Sequence, residues 1–281
     1  MADSYRFVVA DVFTSTPLAG NQLAVFTDAR RLDDRAMQAL ALEIGFSETV
    51  FVLPAAADGT ARIRIFNPRH EMPFAGHPTL GAALVLAAPL QLGVVRLETG
   101  VGTVPVVIER DESGRVVFGR MTQPVPRIEP VERPERVLAA VGAARSRLPV
   151  ELYDNGARHI VLLVEERELG ALRPDREAIA EFAVTGVNCV AKTSDAWRSR
   201  MFWEHGEDPA TGSAAGPIAC HLARHGLVPW GDEIEIAQGV EMGRPSSLAG
   251  RVEATNGTAT LCHVAGQVQP VASGEIEVPL S

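Results

Sequence analysis

RIRIFNPRHEMPFAGHPTLGAALVLA, residues 62–87, and RSRMFWEHGEDPATGSAAGPIACHLA, residues 198–223, are the two stretches on which the reading of this chain turns. Slid over one another by 136 positions without a gap, they match at Arg62/Arg198, Arg64/Arg200, Phe66/Phe202, Glu71/Glu207, Pro73/Pro209, Gly76/Gly212, Ala83/Ala219, Leu86/Leu222 and Ala87/Ala223. Nine identities in 26 aligned residues stand against roughly two expected from composition, and that excess marks an internal repeat. Each copy reads as strand, polar loop, Gly-containing turn and helix. The first of these helices, predicted over 80–88, is apolar on every side. It therefore belongs inside something, and a sheet curled around it is the natural container.

Outward from the repeat, short apolar or alternating runs predict strands at 5–12, 49–53, 61–66, 94–97, 104–109 and 116–121, then at 160–164, 182–190 and 198–203. An amphipathic helix is predicted over 32–44, with Asp33 or Asp34 near its start and Gly45 after its end, and another over 214–224, closed by Gly226. The Pro-rich stretch 123–134 reads as a strand-poor connection. The fold class is therefore α+β, as two pseudo-symmetric lobes, 1–122 and 123–268. Their equivalent loops would look at each other across a cleft, where small ligands usually bind.

The bulk numbers narrow the partners. A chain of 281 residues with 46% hydrophobic and 22% charged residues can bury a large core. A net charge of -9 argues against nucleic acid and against an anionic membrane. Cys189, Cys220 and Cys262 are scattered and form no CxxC pair, so neither a disulfide framework nor a thiolate metal site is expected. The first residues lack the order of a signal peptide, and the run 80–92 is too short to span a bilayer. A cytoplasmic protein with a small-molecule partner is the expectation.

The candidate chemistry sits at the two helix starts. Glu71-Met-Pro-Phe-Ala-Gly76-His77-Pro-Thr79 and Glu207-Asp208-Pro-Ala-Thr-Gly212-Ser213-Ala-Ala215 each place a glycine and a polar side chain where backbone N–H groups and the positive end of the helix dipole favour an anion. His77 and Ser213 hold equivalent positions. One can titrate near neutrality; the other can donate or accept a hydrogen bond. Glu48, between Phe46 and Val50-Phe51, would be partly desolvated, which lifts a carboxyl pKa toward the range where it can give and take protons near pH 7. Gly20-Asn21-Gln22 reads as a polar turn between apolar strands. Ser213 lacks the Gly-x-Ser-x-Gly setting of a hydrolase nucleophile. His221 and His225, four apart without a third ligand in view, read as a solvated helix face or a cationic helix C-terminus, and no metal is assigned to them.

Taken together, Asp11-Val-Phe-Thr14, Gly20-Asn21-Gln22, Phe46-Ser-Glu48-Thr, Pro73-Phe-Ala-Gly76-His77-Pro-Thr79, Glu207-Asp208-Pro-Ala-Thr-Gly-Ser213 and Gln238-Gly-Val-Glu-Met-Gly-Arg244-Pro-Ser resemble, in order along the chain, the PhzF-like family of phenazine biosynthesis. The resemblance implies the diaminopimelate epimerase-like fold, in which each lobe is a mostly antiparallel β-sheet wrapped around a central helix. It also implies a C-terminal strand at about 269–281 returning to the first lobe, and a homodimer. The activity implied is a cofactor-independent isomerisation of the trans-2,3-dihydro-3-hydroxyanthranilate type. Glu48 would be the proton shuttle; His77, Asp208 and Ser213 would be catalytic partners; Gly76, Gly212, Asn21, Gln22 and Thr79 would bind a small carboxylate. Epimerases of that architecture place a cysteine at each matched helix start, but Ala75 and Thr211 stand there in this chain. One-base proton relocation is thus the leading reading, with epimerisation by a nonthiol base or simple carboxylate binding as alternatives.

Overall fold

The computed structural model describes residues 2–194 and 196–279. It divides into two compact units, one made of the chain up to Met121 together with the stretch from Ala265 onward, the other Thr122–Val264.

In the first unit, strand Ala2–Val12 pairs antiparallel with Asn21–Phe26 on one side and with Val268–Pro279 on the other. Asn21–Phe26 then runs parallel to Glu48–Leu53, and helix Asp34–Ile44 makes the crossover. That helix opens with Asp33 accepting from the Ala36 N–H and closes on Gly45 in the left-handed region, which satisfies orphan backbone groups at both ends. Its apolar face lies on a ring cluster in which Phe26 stacks on Phe51 at 5.0 Å and Phe51 meets Phe66 edge-on at 5.5 Å. The ladder continues antiparallel through Ala61–Phe66, and Val94–Thr99, Gly102–Arg110 and Val116–Gln123 complete it.

The curl of this sheet encloses helix Gly76–Leu90, which touches strands from both ends of the ladder. The helix begins four residues before the predicted start at 80. Its first turn holds Pro78, and proline is at home there, where its missing N–H has no partner to lose. On one face Gly81 lets the helix sink onto the sheet, since a Cβ there would lie 2.5 Å from Leu23 Cδ2 and 2.8 Å from Val12 Cγ2.

The second unit repeats the plan. Glu151–Asp154 and Arg158–Leu163 form a hairpin, Arg158–Leu163 runs parallel to Gly186–Lys192, and the ladder proceeds through Trp197–Trp203, Glu233–Gln238 and Ser246–Thr255. Helix Gly212–Arg224 is its buried centre, again starting two residues earlier than predicted. Pro217 lies inside this helix and cannot donate to the Ser213 carbonyl. Asn155 Nδ2 does so instead, at 2.9 Å, while Gln123 Nε2 serves the Gly212 carbonyl, also at 2.9 Å.

Two further boundaries are corrected. The stretch 182–185 is not strand: Phe182 closes the turn after helix Arg176–Ala180 and packs, with Val184, on the helical side of the sheet. Its apolar character serves helix-to-sheet packing. The connection 123–134 does contain a strand, Arg127–Pro130, paired with Glu151–Asp154; Pro130 is tolerated as its last residue.

The repeat has a physical content. Arg64 grips Glu71 with two parallel bonds of 2.7 and 2.6 Å and lies 5.1 Å over the Phe66 ring; Arg200 grips Glu207 at 2.8 and 2.7 Å and lies 4.8 Å over Phe202. Three of the nine matched pairs thus build one device twice. A bidentate ion pair on an aromatic face fastens the loop before each buried helix to its strand. Among the described residues, no helix is long and apolar enough to cross a membrane.

Candidate functional site

Glu48 is the first residue of its strand and His77 the second residue of the buried helix, so their places are set by strand register and helix start. Glu48 Oε2 lies 3.3 Å from His77 Nε2, with both side chains largely out of solvent. Asn21, the first residue of strand Asn21–Phe26, is 2% exposed. Its Nδ2 donates to His77 Nδ1 at 3.3 Å while its Oδ1 accepts from Ser47 Oγ at 3.3 Å. An amide nitrogen can only donate, so Nδ1 of a neutral His77 carries no proton and Nε2 does. The Nε2–H is therefore on the side of the Glu48 carboxylate.

Burial raises the Glu48 pKa to about 7; the Ser47 hydrogen bond acts in the opposite sense and is the weaker effect. Near neutral pH the group is found both as acid and as base. That is the property needed by a group that must accept a proton and hand it back.

The loop ahead of Asn21 is strained. Phe13 and Leu18 have positive φ, at 64° and 68°, and the buried Asp11 holds Leu18 in place by accepting its N–H at 2.7 Å. Gly20 has φ 66°, and a Cβ on it would lie 2.5 Å from the Val12 carbonyl oxygen. Such strain collects at functional sites. Gly20→Ala is expected to cost about 2 kcal/mol or more, read as a lowered melting temperature. Because Asn21 follows directly, turnover should fall as well.

In the second unit the loop before the helix is tied by Gln238. Its Nε2 donates to the Asp208 carbonyl at 2.8 Å and to Thr211 Oγ1 at 2.9 Å, and its Oε1 accepts from the Thr211 N–H at 3.3 Å. Thr211 Oγ1 in turn donates to Asp208 Oδ2. Ser213 Oγ lies 2.9 Å from His159 Nε2, and His159 Nδ1 lies 3.4 Å from Asn188 Nδ2. Neither helix has a side-chain cap; Ala75 and Thr211 are the two N-cap residues. The three cysteines are buried, and burial raises every thiol, Cys220 to about 11 and Cys262 to about 12. None is a thiolate base.

Of the residues singled out from sequence, Glu48, His77 and Asn21 come together in one contact set, Asn21 hydrogen-bonded to His77 and Glu48 3.3 Å from it, with Gly76 next to them. Asp208 and Thr211 form another through Gln238, with Gly212 and Ser213 following. Gln22 stands opposite Asp11 in the strand register and, among the described residues, joins no side-chain bond. Thr79 is fully buried and commits its hydroxyl hydrogen to the Ala75 carbonyl at 2.8 Å, closing the first helical turn. Sequence reading passed over Ser47, Asn155, His159 and Asn188. Asn155 and His159 had one local signal, the run Asn155-Gly-Ala-Arg-His159 leading into an apolar strand.

His221 and His225 require a correction. His221 is fully buried, and a third group does stand beside the pair: Glu151 Oε2 is 3.2 Å from His221 Nδ1 and 2.8 Å from His225 Nε2. These atoms lie within 4.8 Å of one another, close enough to surround a cation. The same carboxylate also accepts from Arg224 and, at 3.0 Å, from the Tyr153 hydroxyl. The cluster fastens the end of helix Gly212–Arg224 to strand Glu151–Asp154.

Comparison with known proteins bears on the family and the fold. The trans-2,3-dihydro-3-hydroxyanthranilate isomerase of Pseudomonas aeruginosa is 47% identical over 274 residues, 96% of this chain and 98% of that protein. A Bacillus anthracis phenazine biosynthesis protein of the PhzF family has the same fold, with a TM-score of 0.86 over 99% of this chain and 100% of that one, at 24% identity. The fold extends to a hydroxyproline epimerase from Agrobacterium vitis, with a TM-score of 0.71 at 14% identity over 98% and 93% of the two chains. The family model of phenazine biosynthesis-like proteins matches residues 10–274, and this chain, an α+β isomerase of the PhzF type, belongs to that family.

Proposed function

We propose that this isomerase acts on trans-2,3-dihydro-3-hydroxyanthranilate, with Glu48 taking a proton from one ring carbon and returning it to another. The observation that carries the reading is the Glu48 carboxyl itself: desolvated, raised to about 7, and 3.3 Å from the ring of His77. The substrate rests on the 47% identity to the Pseudomonas aeruginosa isomerase.

Ionised Glu48 removes the proton, and the electrons move into the adjacent double bonds of the substrate. The resulting Glu48 acid delivers the proton to the second carbon, which restores the carboxylate. His77 Nε2–H, held by Asn21, supports the carboxylate while it is charged. For holding the substrate each unit offers its own groups: the backbone at Gly76 with Asn21, Gln22 and Thr79 in the first, and Asp208, Ser213 and the backbone at Gly212 in the second. A homodimer belongs to the same reading, on the strength of the family resemblance.

One comparison of registers supports a single base. Thr49 pairs with Phe66 as Val187 pairs with the matched Phe202, so the position of Glu48 in the first unit is that of Gly186 in the second. The second unit has no carboxyl there to act as a partner base.

The test is turnover in D2O. The expected result is loss of the substrate diene absorbance with one deuterium at the reprotonated carbon, seen by NMR. Conversion without deuterium at low turnover would fit internal return of the same proton; no conversion at all would remove the substrate assignment.

A further inference from the structure

We propose that His159 is a positioning residue for this isomerisation: by donating its Nε2–H to Ser213 Oγ, it turns the Ser213 hydroxyl into an obligatory donor toward substrate. This rests on the reading of Ser213 as a substrate-holding group.

The argument is one of proton counting. His159 is fully buried at the second position of strand Arg158–Leu163, and Ser213 is 6% exposed at the second position of helix Gly212–Arg224. Asn188, on the neighbouring strand, sends its Nδ2 to the Ile160 carbonyl at 3.2 Å and to His159 Nδ1 at 3.4 Å. A carbonyl only accepts, so the amide nitrogen, not the oxygen, must be on this side. His159 Nδ1 is therefore an acceptor and its proton resides on Nε2, 2.9 Å from Ser213 Oγ. Burial depresses the His159 pKa to about 3, which keeps the ring neutral and the tautomer single across the working pH range.

A serine hydroxyl that accepts this bond keeps its own hydrogen for another acceptor, and among the described residues none is bonded to it. Left without His159, the hydroxyl could rotate and present either its hydrogen or its lone pairs. With His159 in place it presents the hydrogen alone, pre-aimed at developing negative charge on the substrate. The backbone around Ser213 is fixed as well, because Asn155 Nδ2 holds the Ser213 carbonyl at 2.9 Å.

The experiment is a double-variant cycle on trans-2,3-dihydro-3-hydroxyanthranilate, with folding of each variant checked by its melting temperature. Ser213→Ala is expected to lower kcat/KM by about 10²-fold. His159→Leu should cost a similar factor, and the double variant should be no worse than Ser213→Ala alone, because both remove one interaction. His159→Gln, whose amide can still donate to Ser213 Oγ, should recover part of the loss; it also carries the test if His159→Leu does not fold. Multiplying losses in the double variant, an active His159→Leu, or a folded His159→Gln as poor as His159→Leu would overturn the proposal. If Ser213→Ala itself is fully active, the Ser213 reading falls and this proposal with it. That outcome is distinct from an impaired Ser213→Ala beside an unaffected His159→Leu. A substrate-free readout stands beside these: 15N NMR of histidine-labelled protein at pH 7 should show His159 neutral with the proton on Nε2. An imidazolium or an Nδ1–H tautomer there would sink it.

Discussion

Glu48→Gln is expected to lower kcat by at least about 10³-fold while making the protein more stable. General acid–base groups contribute about 10²–10⁴-fold, and here one carboxyl would both remove and return the proton, so the upper part of that range applies. The amide has nearly the same shape and cannot exchange a proton with carbon, so the loss is chemical. The stability change has the opposite sign for a definite reason. The folded pKa, about 7, lies above the unfolded value of 4.5. Stability from this group is fully present below pH 4.5 and is lost as pH rises through 7, because the ionised form is held out of water. Removing the charge should therefore raise stability at pH 8 by about 2–3 kcal/mol and leave it nearly unchanged at pH 4. In the wild type, kcat/KM should climb with pH through about 7 as the base form fills. Calorimetry at pH 4 and pH 8, with the pH–rate profile, checks all three. A variant that loses activity and stability together would mark Glu48 as a structural group instead. The trade of stability for activity is the usual signature of a working site.

How much of this was legible beforehand depends on whether the signal was local. The fold was readable because its devices repeat within a few residues. Arg64, Phe66 and Glu71 lie in one short segment, as do Arg200, Phe202 and Glu207, so their pairing leaves an ungapped trace. The buried helix was readable because it has no polar side. Glu48 stood out as a carboxylate flanked by Phe46, Val50 and Phe51, but its assigned role came from the family resemblance and not from that spacing. His159, Asn188 and Asn155 were not readable, since they meet only after strands 158–163 and 186–192 pair and the helix settles behind them. Each alone is a polar residue in an apolar run. The boundary errors share a cause. Each helix starts before its first run of apolar residues, and its prolines are tolerated because Pro78 sits where no N–H is needed and Pro217 beside an asparagine that takes over the missing bond. The His221 and His225 pair was misread because Glu151, their common partner, is about seventy residues away in the chain.

That misread cluster carries the second large expectation, which concerns the stability of the second unit. Glu151→Gln should cost about 2–3 kcal/mol at pH 7. Breaking a buried ion pair by removing one partner costs about 3–5 kcal/mol, and the lower figure applies because the Arg224 side chain is 40% exposed and can turn to water. His225 and the Tyr153 hydroxyl cannot regain as much from a neutral amide as from the carboxylate they now share. The pH dependence separates this account from a simple packing defect. Burial by itself would raise the Glu151 pKa, but hydrogen bonds from His225, Arg224 and Tyr153 outweigh it and hold the group down at about 2. A folded pKa below the unfolded 4.5 gives stability that is present above pH 4.5 and lost as pH falls toward 2. His221 acts in the same direction at higher pH: burial lowers its pKa from 6.5 to about 4, so the unfolded chain gains protons first and stability declines from pH 6.5 downward. In Glu48→Gln, where the opposing Glu48 contribution is removed, stability should thus fall in two acid steps. The gap between wild type and Glu151→Gln should stay open from pH 8 to 5 and narrow steadily below pH 4.5 toward pH 2. Urea unfolding followed by tryptophan fluorescence reports the right region, because Trp197, Trp203 and Trp230 all lie within Thr122–Val264. A gap that stays constant down to pH 3 would mean that Glu151 contributes shape and not charge, and the carboxylate would lose its place as the electrostatic anchor of the helix end.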